Sequence, residues 1–134
     1  MDTQTLETAL QEYFAPWVQA LGLRVEAFDA DSVTLRLPQN DALSRVGGML
    51  CGQAMMAAAD TAMVLALINQ AGQFRPCTTV QMSSSFLKPL SAQDALVQAR
   101  VVRAGKALAF GEIDIRGAQD GRSASRATTT YALL

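Results

Sequence analysis

Residues 54–68 read Ala-Met-Met-Ala-Ala-Ala-Asp-Thr-Ala-Met-Val-Leu-Ala-Leu-Ile, an apolar run that contains one charged residue, Asp60. A helix that is apolar on nearly every side must be buried, so this run predicts a core helix over about residues 52–70. The run is shorter than the roughly 20 apolar residues needed to cross a bilayer, and we therefore expect no membrane span. Its many alanines make the helix thin, which allows strands to approach it closely.

Periodic patterns on both sides of this run predict the rest of the fold. Apolar residues at three- and four-residue steps indicate an N-terminal amphipathic helix over about residues 5–21. Residues 39–49 are predicted to be a loop, and alternating patterns predict strands at 23–27, 33–37, 79–87, 94–104, 107–116 and 122–133. One antiparallel sheet of about six strands wrapped around the central helix is an α+β arrangement. The length of 134 residues fits a single domain that spans residues 1–134.

The composition points to an oligomer that acts on a small molecule. Hydrophobic residues make up 50% of the chain and charged residues only 17%, against about 25% in a usual soluble domain. This deficit indicates apolar surface covered by another subunit, and we expect a homodimer or a dimer of dimers. With 11 basic and 12 acidic residues and no basic block, nothing suggests nucleic acid or a membrane surface as a partner.

The chain contains no histidine. Serine–histidine and cysteine–histidine catalytic arrangements are therefore excluded, as is every histidine base. The widely spaced Cys51 and Cys77 form neither a disulfide framework nor a zinc motif, so we expect no metal. The polar start Met1-Asp2-Thr3-Gln4 lacks a signal-peptide pattern, and we expect the protein in the cytoplasm.

Asp60 is the first candidate for chemistry. An unpaired carboxylate in apolar surroundings costs several kcal/mol, so a sequence that keeps one is expected to use it. The alternative is structural: Asp60 faces a solvated groove, caps a helix break, or is satisfied by Thr61 and backbone groups. Gly52 is the second candidate, because N–H groups at a helix start can bind an oxyanion.

Gly52 and Asp60 are too far apart to act on one carbonyl carbon within one chain. Eight residues of helix span about 12 Å at 1.5 Å per residue. If two copies of the helix pack antiparallel about a twofold axis near Met56, Gly52 of one copy lies opposite Asp60 of the other. A dimer would then contain two equivalent composite sites.

The run Gly48-Met49-Leu50-Cys51-Gly52-Gln53, followed by Ala58-Ala59-Asp60-Thr61-Ala62, resembles the helix-start signature of hotdog thioesterases related to the phenylacetate-pathway enzyme. That signature is usually a His-Gly-Gly triplet with an acid nine residues after the histidine. Here Cys51 stands at the histidine position, Gly52 and Asp60 match, and Gln53 replaces the second glycine. Residues 79–89, 101–106 and 120–121 resemble later segments of the family, so the match extends from Arg45 to the C-terminus.

The resemblance implies a hotdog fold that hydrolyses an acyl thioester, with acyl-CoA as the expected substrate and no other cofactor. Asp60 would act as nucleophile or as base on water, and the Gly52 N–H would polarise the carbonyl. The predicted substrate contacts are Cys51, Gln53, Arg45, Ser83, Lys88, Arg103 and Lys106. The three cations Lys88, Arg103 and Lys106 are expected at CoA phosphates.

Two alternatives stay open. The replacements at Cys51 and Gln53, together with Arg45 where many relatives carry Asn or Gln, favour a non-catalytic acyl-CoA binder or a degenerate hotdog protein. Cys51 at a helix start could also be a nucleophile, although a small buried residue filling the histidine position is the simpler interpretation. A hydratase on the same fold usually needs a histidine, which this chain lacks.

Overall fold

The predicted central helix is α3, Gly52–Ala71, in the computed structural model, which describes residues 1–134. Twelve of its 20 residues are buried, as its apolar composition requires. It ends at Gly72, whose φ of +77° places it in the left-handed region that commonly terminates helices. By length and composition α3 could cross a membrane, but 67% of its most apolar 18-residue window is buried inside the fold, which is typical of a core helix.

A six-stranded antiparallel sheet packs against α3. Its strands are β1 (Arg24–Phe28), β2 (Ser32–Leu37), β5 (Cys77–Phe86), β6 (Ala95–Ala104), β7 (Leu108–Gly117) and β8 (Ser123–Leu133). Their spatial order is β1-β2-β6-β7-β8-β5, so β1 and β5 form the two edges. The predicted α+β architecture of about six strands around one helix is confirmed.

The N-terminal helix is divided, which differs from the continuous helix predicted over residues 5–21. Helix α1 covers Thr3–Glu12 and the short helix α2 covers Pro16–Gln19. Proline has no backbone N–H and disfavours helical geometry in the preceding residue, and Ala15 accordingly has an extended ψ of 150°. Pro16 therefore begins a new helix and cannot continue α1.

The predicted loop before α3 has short regular pieces. A single 3-10 turn at Asp41–Leu43 leads into the two-residue strands β3 (Ser44–Arg45) and β4 (Met49–Leu50), which pair with each other. Gly47 and Gly48 have φ of +99° and +80°, and these values allow the tight reversal between the two strands. This small hairpin carries Arg45 and delivers the chain to the start of α3.

Candidate active site

Asp60 lies on the only stripe of α3 that the fold leaves partly uncovered. Three- and four-residue spacings place the members of this open stripe on one face of the helix: Gln53, Met56, Ala57, Asp60 and Val64. The remaining faces of the helix are buried against the sheet and the N-terminal helices. The single charged residue of the helix is therefore on the side that other molecules can reach.

The Asp60 carboxylate is hydrogen-bonded through one oxygen. Tyr131 Oη donates to Oδ1 at 2.6 Å, and Thr79 Oγ1 donates to the same oxygen at 2.8 Å. Oδ2 accepts no hydrogen bond within the protein. One of the structural alternatives, satisfaction by Thr61, is wrong, because the Thr61 hydroxyl donates to the Ala57 carbonyl at 2.8 Å.

Sequence reasoning missed both hydroxyl donors. Tyr131 lies 71 residues from Asp60 and Thr79 lies 19 residues away, so no local pattern connects them to the helix. The last strand gave a weak signal for Tyr131, because every second residue of a strand lies on the same face and Ala127 and Thr129 are also buried. The strand prediction alone does not show which helix residue those side chains meet.

The titratable groups next to Asp60 stay neutral near pH 7. Burial, reinforced by the Asp60 charge, raises the pKa of Tyr131 well above its ordinary value. Burial also raises the pKa of the Cys77 thiol, and the nearby Asp60 charge adds to this effect. The carboxylate is therefore stabilised by hydroxyl donors and lacks a cationic partner in its own protomer.

Gly52 begins α3 with unsatisfied N–H groups. The residue before it, Cys51, makes no side-chain capping hydrogen bond, so the first turn keeps its donors free. A Cβ at position 52 would lie 3.3 Å from the Phe86 ring, which leaves little room for a side chain. An oxygen atom of a bound molecule can therefore come close to the N–H groups at the helix start.

Gly52 shares a cavity with two of the predicted substrate contacts, the cations Arg45 and Lys88. This cavity, here called the cationic groove, is lined by Arg45, Gly52, Met55, Phe86 and Lys88 among others and has a volume of about 320 Å³. The Arg45 guanidinium donates hydrogen bonds to the Val46 carbonyl and the Met49 sulfur and forms no salt bridge. Lys88 Nζ lies 3.3 Å from the Asp120 carboxylate. An anion could therefore bind beside the helix start.

Cys51 and Gln53 line a different cavity on the other side of the helix start. This apolar pocket is formed with Trp17, Leu21 and Leu43 among others, contains no charged side chain and has a volume of about 320 Å³. Cys51 is half-buried with a free thiol. Two cavities of opposite character thus flank the first turn of α3.

Three of the predicted substrate contacts, Arg103, Lys106 and Ser83, line neither of these cavities. Arg103 and Lys106 lie at the end of β6 and in the turn after it, where the Lys106 carbonyl accepts a hydrogen bond from Arg75. Arg75 follows the C-terminal end of α3, so both cations are at the opposite end of the helix from Gly52. Ser83 pairs with the exposed Thr128, on the sheet face turned away from α3.

Comparisons with known proteins place the chain among thioesterases. The sequence model of the thioesterase superfamily matches residues 47–124. A protein of Saccharolobus solfataricus named "Putative esterase" is 29% identical over 103 residues, which cover 77% of this chain and 66% of the relative. The chain therefore spans just under two thirds of that relative's length.

Solved structures share the whole architecture. A mutant thioesterase from Pseudomonas aeruginosa has a TM-score of 0.87 at 24% identity, with 100% of this chain and 94% of that chain covered. A mutant phenylacetic acid degradation protein from Thermus thermophilus has a TM-score of 0.78 at 21% identity, with 90% of this chain and 100% of that chain covered. At these identities the likeness establishes the fold.

Proposed function

This chain belongs to the thioesterase superfamily, and from that membership we propose that it hydrolyses an acyl thioester, with acyl-CoA as the substrate. The family match covers more than half of the chain and confirms the resemblance read from residues 48–62. Membership of this superfamily supports hydrolase activity. The nature of the acyl thioester and the roles of individual residues are part of the proposal.

The observation that carries the proposal is the setting of Asp60. It is the only charged residue on the core helix, it lies on the open stripe, and one of its carboxylate oxygens has no hydrogen-bond partner. A carboxylate of this kind can act on a thioester without histidine, since a thiolate leaves readily and needs no strong general acid.

The proposed reaction needs only Asp60, an N–H donor and water. As a base, Asp60 removes a proton from water while the water oxygen bonds to the thioester carbon. The oxyanion that forms is stabilised by the Gly52 N–H, the C–S bond then breaks, and the thiolate takes up the proton. As a nucleophile, Asp60 displaces the thiolate to form an acyl anhydride, which water then hydrolyses. Neither route needs a further cofactor.

We infer that each site combines Gly52 of one copy with Asp60 of a second copy. Within one helix these residues are eight positions apart, which corresponds to about 12 Å. Met56, midway between them, is 41% exposed on the open stripe. The edge strand β5 also exposes Val80 and Phe86, so a second copy placed here would cover apolar surface beside the site.

The two cavities suggest how the substrate is oriented. The phosphates of CoA carry negative charge and fit the cationic groove with Arg45 and Lys88. An apolar acyl group fits the pocket lined by Cys51 and Trp17, which has no charged side chain. In an antiparallel dimer, Arg103 and Lys106 of one copy extend beyond the helix start of the other, where they could meet the distal part of CoA.

Replacing Asp60 by asparagine tests the proposed function. Turnover of an acyl-CoA panel, followed with a thiol-reactive dye, should fall by about 10² or more, as expected when a positioned base or nucleophile is lost. The asparagine carbonyl can still accept from Tyr131 and Thr79, so the free energy of unfolding should change by less than about 1 kcal/mol.

The control for this experiment is Asp31→Asn, the same change in the turn between β1 and β2, which should leave turnover unaltered. Near-normal turnover by Asp60→Asn would exclude Asp60 as the catalytic group. If the unmodified protein binds acyl-CoA but hydrolyses none of it, the protein is better described as a non-catalytic acyl-CoA binder.

A further inference from the structure

Two hydroxyl groups from neighbouring strands converge on one oxygen of Asp60. Thr79 of β5 and Tyr131 of β8 are directly opposite each other in the sheet register. Both donate to Oδ1, and the Tyr131 phenol oxygen also lies 3.3 Å from the Asp60 backbone carbonyl. The two carboxylate oxygens are therefore unequal, because Oδ1 is held and Oδ2 is free.

The two donors differ in how firmly they are held. Tyr131 is completely buried, so its ring is fixed by the surrounding core and its hydroxyl cannot turn to solvent. Thr79 lies on the edge strand and is exposed. Of the two, Tyr131 is the group that can hold the carboxylate in one orientation with little loss of entropy during the reaction.

We propose that Tyr131 is a positioning residue, which holds Oδ1 of Asp60 so that Oδ2 faces the thioester. This inference rests on the proposed catalytic role of Asp60. Tyr131 does not touch the substrate, and its phenol keeps its proton throughout. It acts on the orientation of the carboxylate.

A hydrogen bond donated to a carboxylate favours its charged form. The titratable groups that face Asp60 are Tyr131 from β8 and Cys77 from β5, and the raised pKa of each keeps it neutral near pH 7. Asp60 is therefore held by neutral hydroxyl donors alone, and removal of the Tyr131 hydroxyl leaves Thr79 as its only hydrogen-bond donor.

The test is Tyr131→Phe, which removes one oxygen atom and keeps the ring. We expect kcat to fall by about 10- to 100-fold, the effect of losing one hydrogen bond to a charged group. The KM for acyl-CoA should change little. A fall in kcat with an unchanged KM is the signature of lost positioning, and a purely structural role would not produce this split.

Two further variants complete the test. Thr129→Val is the matched control, because Thr129 is a buried residue of the same strand whose hydroxyl has no hydrogen-bond partner. It should leave both kcat and KM unchanged. Thr79→Val removes the second donor at an exposed position and should also lower kcat, whereas Thr79→Ser keeps the hydroxyl and should lower kcat less.

The outcomes separate this inference from the proposed function. If Asp60→Asn abolishes turnover while Tyr131→Phe keeps the kcat of the unmodified protein, Tyr131 does not position the carboxylate. The same conclusion follows if Thr129→Val lowers kcat as much as Tyr131→Phe does. If Asp60→Asn keeps its activity, the proposed function itself fails.

Discussion

Cys51 occupies the position just before the core helix, where the family signature that this sequence resembles has histidine. Its thiol is free, makes no capping hydrogen bond and lines the apolar pocket with Trp17 and Leu43. A reactive thiolate needs an electropositive setting, and no base or cation lines that pocket. These surroundings favour the interpretation of Cys51 as a small apolar residue that contacts the acyl group.

We therefore predict that Cys51→Ala keeps at least about a tenth of the turnover, because loss of a true nucleophile costs orders of magnitude. Iodoacetamide should inactivate the unmodified protein weakly. Peptide mapping would show which of Cys51 and Cys77 is alkylated. An inactive Cys51→Ala variant, together with an acyl adduct on Cys51 in the unmodified protein, would reverse the assignment.

The short helix α2 shapes the apolar pocket. Pro16 separates it from α1 and thereby places Trp17 at the rim of the pocket, where the side chain is 64% exposed. An apolar residue so exposed in the free protein gains stability when an apolar group covers it, at about 0.8 kcal/mol for each buried CH₂. A bound acyl chain would supply that cover.

Trp17→Ala is accordingly expected to lower kcat/KM for an eight-carbon acyl-CoA by about tenfold while changing acetyl-CoA turnover much less. Comparing the two substrates cancels any general effect on CoA binding. Phe28→Ala, which removes an exposed aromatic ring on β1, is the matched control and should affect neither substrate. Equal losses for both chain lengths would place the acyl group elsewhere.

The proposed dimer would account for both the low charge content of the chain and the composite site. β5 is an edge strand of ten residues without proline or lysine, the residues that commonly protect such edges. Val80 on this strand is 57% exposed, and Met56 on α3 is 41% exposed. A second copy that covers both would bring Gly52 and Asp60 of different chains together.

We predict a dimer or a dimer of dimers by sedimentation at micromolar concentration. Co-expression of Asp60→Asn with Gly52→Pro should restore activity, because mixed dimers keep one intact site. Random pairing gives about a quarter of the activity of the unmodified protein. Proline removes the N–H, and its backbone geometry suits the first helical position and the Cys51 ψ of 150°. Only the neighbouring Phe86 ring must shift slightly to make room for it.

Each single variant expressed alone is the control and should be inactive. A composite site is contradicted if the unmodified protein sediments as an active monomer, or if the co-expressed variants remain as inactive as each variant alone.

Local patterns in the sequence determined the elements and the main candidate. The apolar run around Asp60 predicted α3 to within one residue at its C-terminal end, and alternation located all six strands of the sheet. The family resemblance rested on short segments with fixed spacing. The helix and the strands can be predicted from the sequence because their periodicities repeat within a few residues.

Only the tertiary structure decided which side chains meet Asp60. Pairing between Thr79 and Tyr131 joins positions 52 residues apart, and no local period encodes such a contact. In β5 the register shifts between Thr79 and Gln81, so Val80 is an extra residue that changes which alternate positions face the helix. Thr79 therefore faces Asp60 whereas Ser83 faces away, because one inserted residue reverses the alternation of a strand.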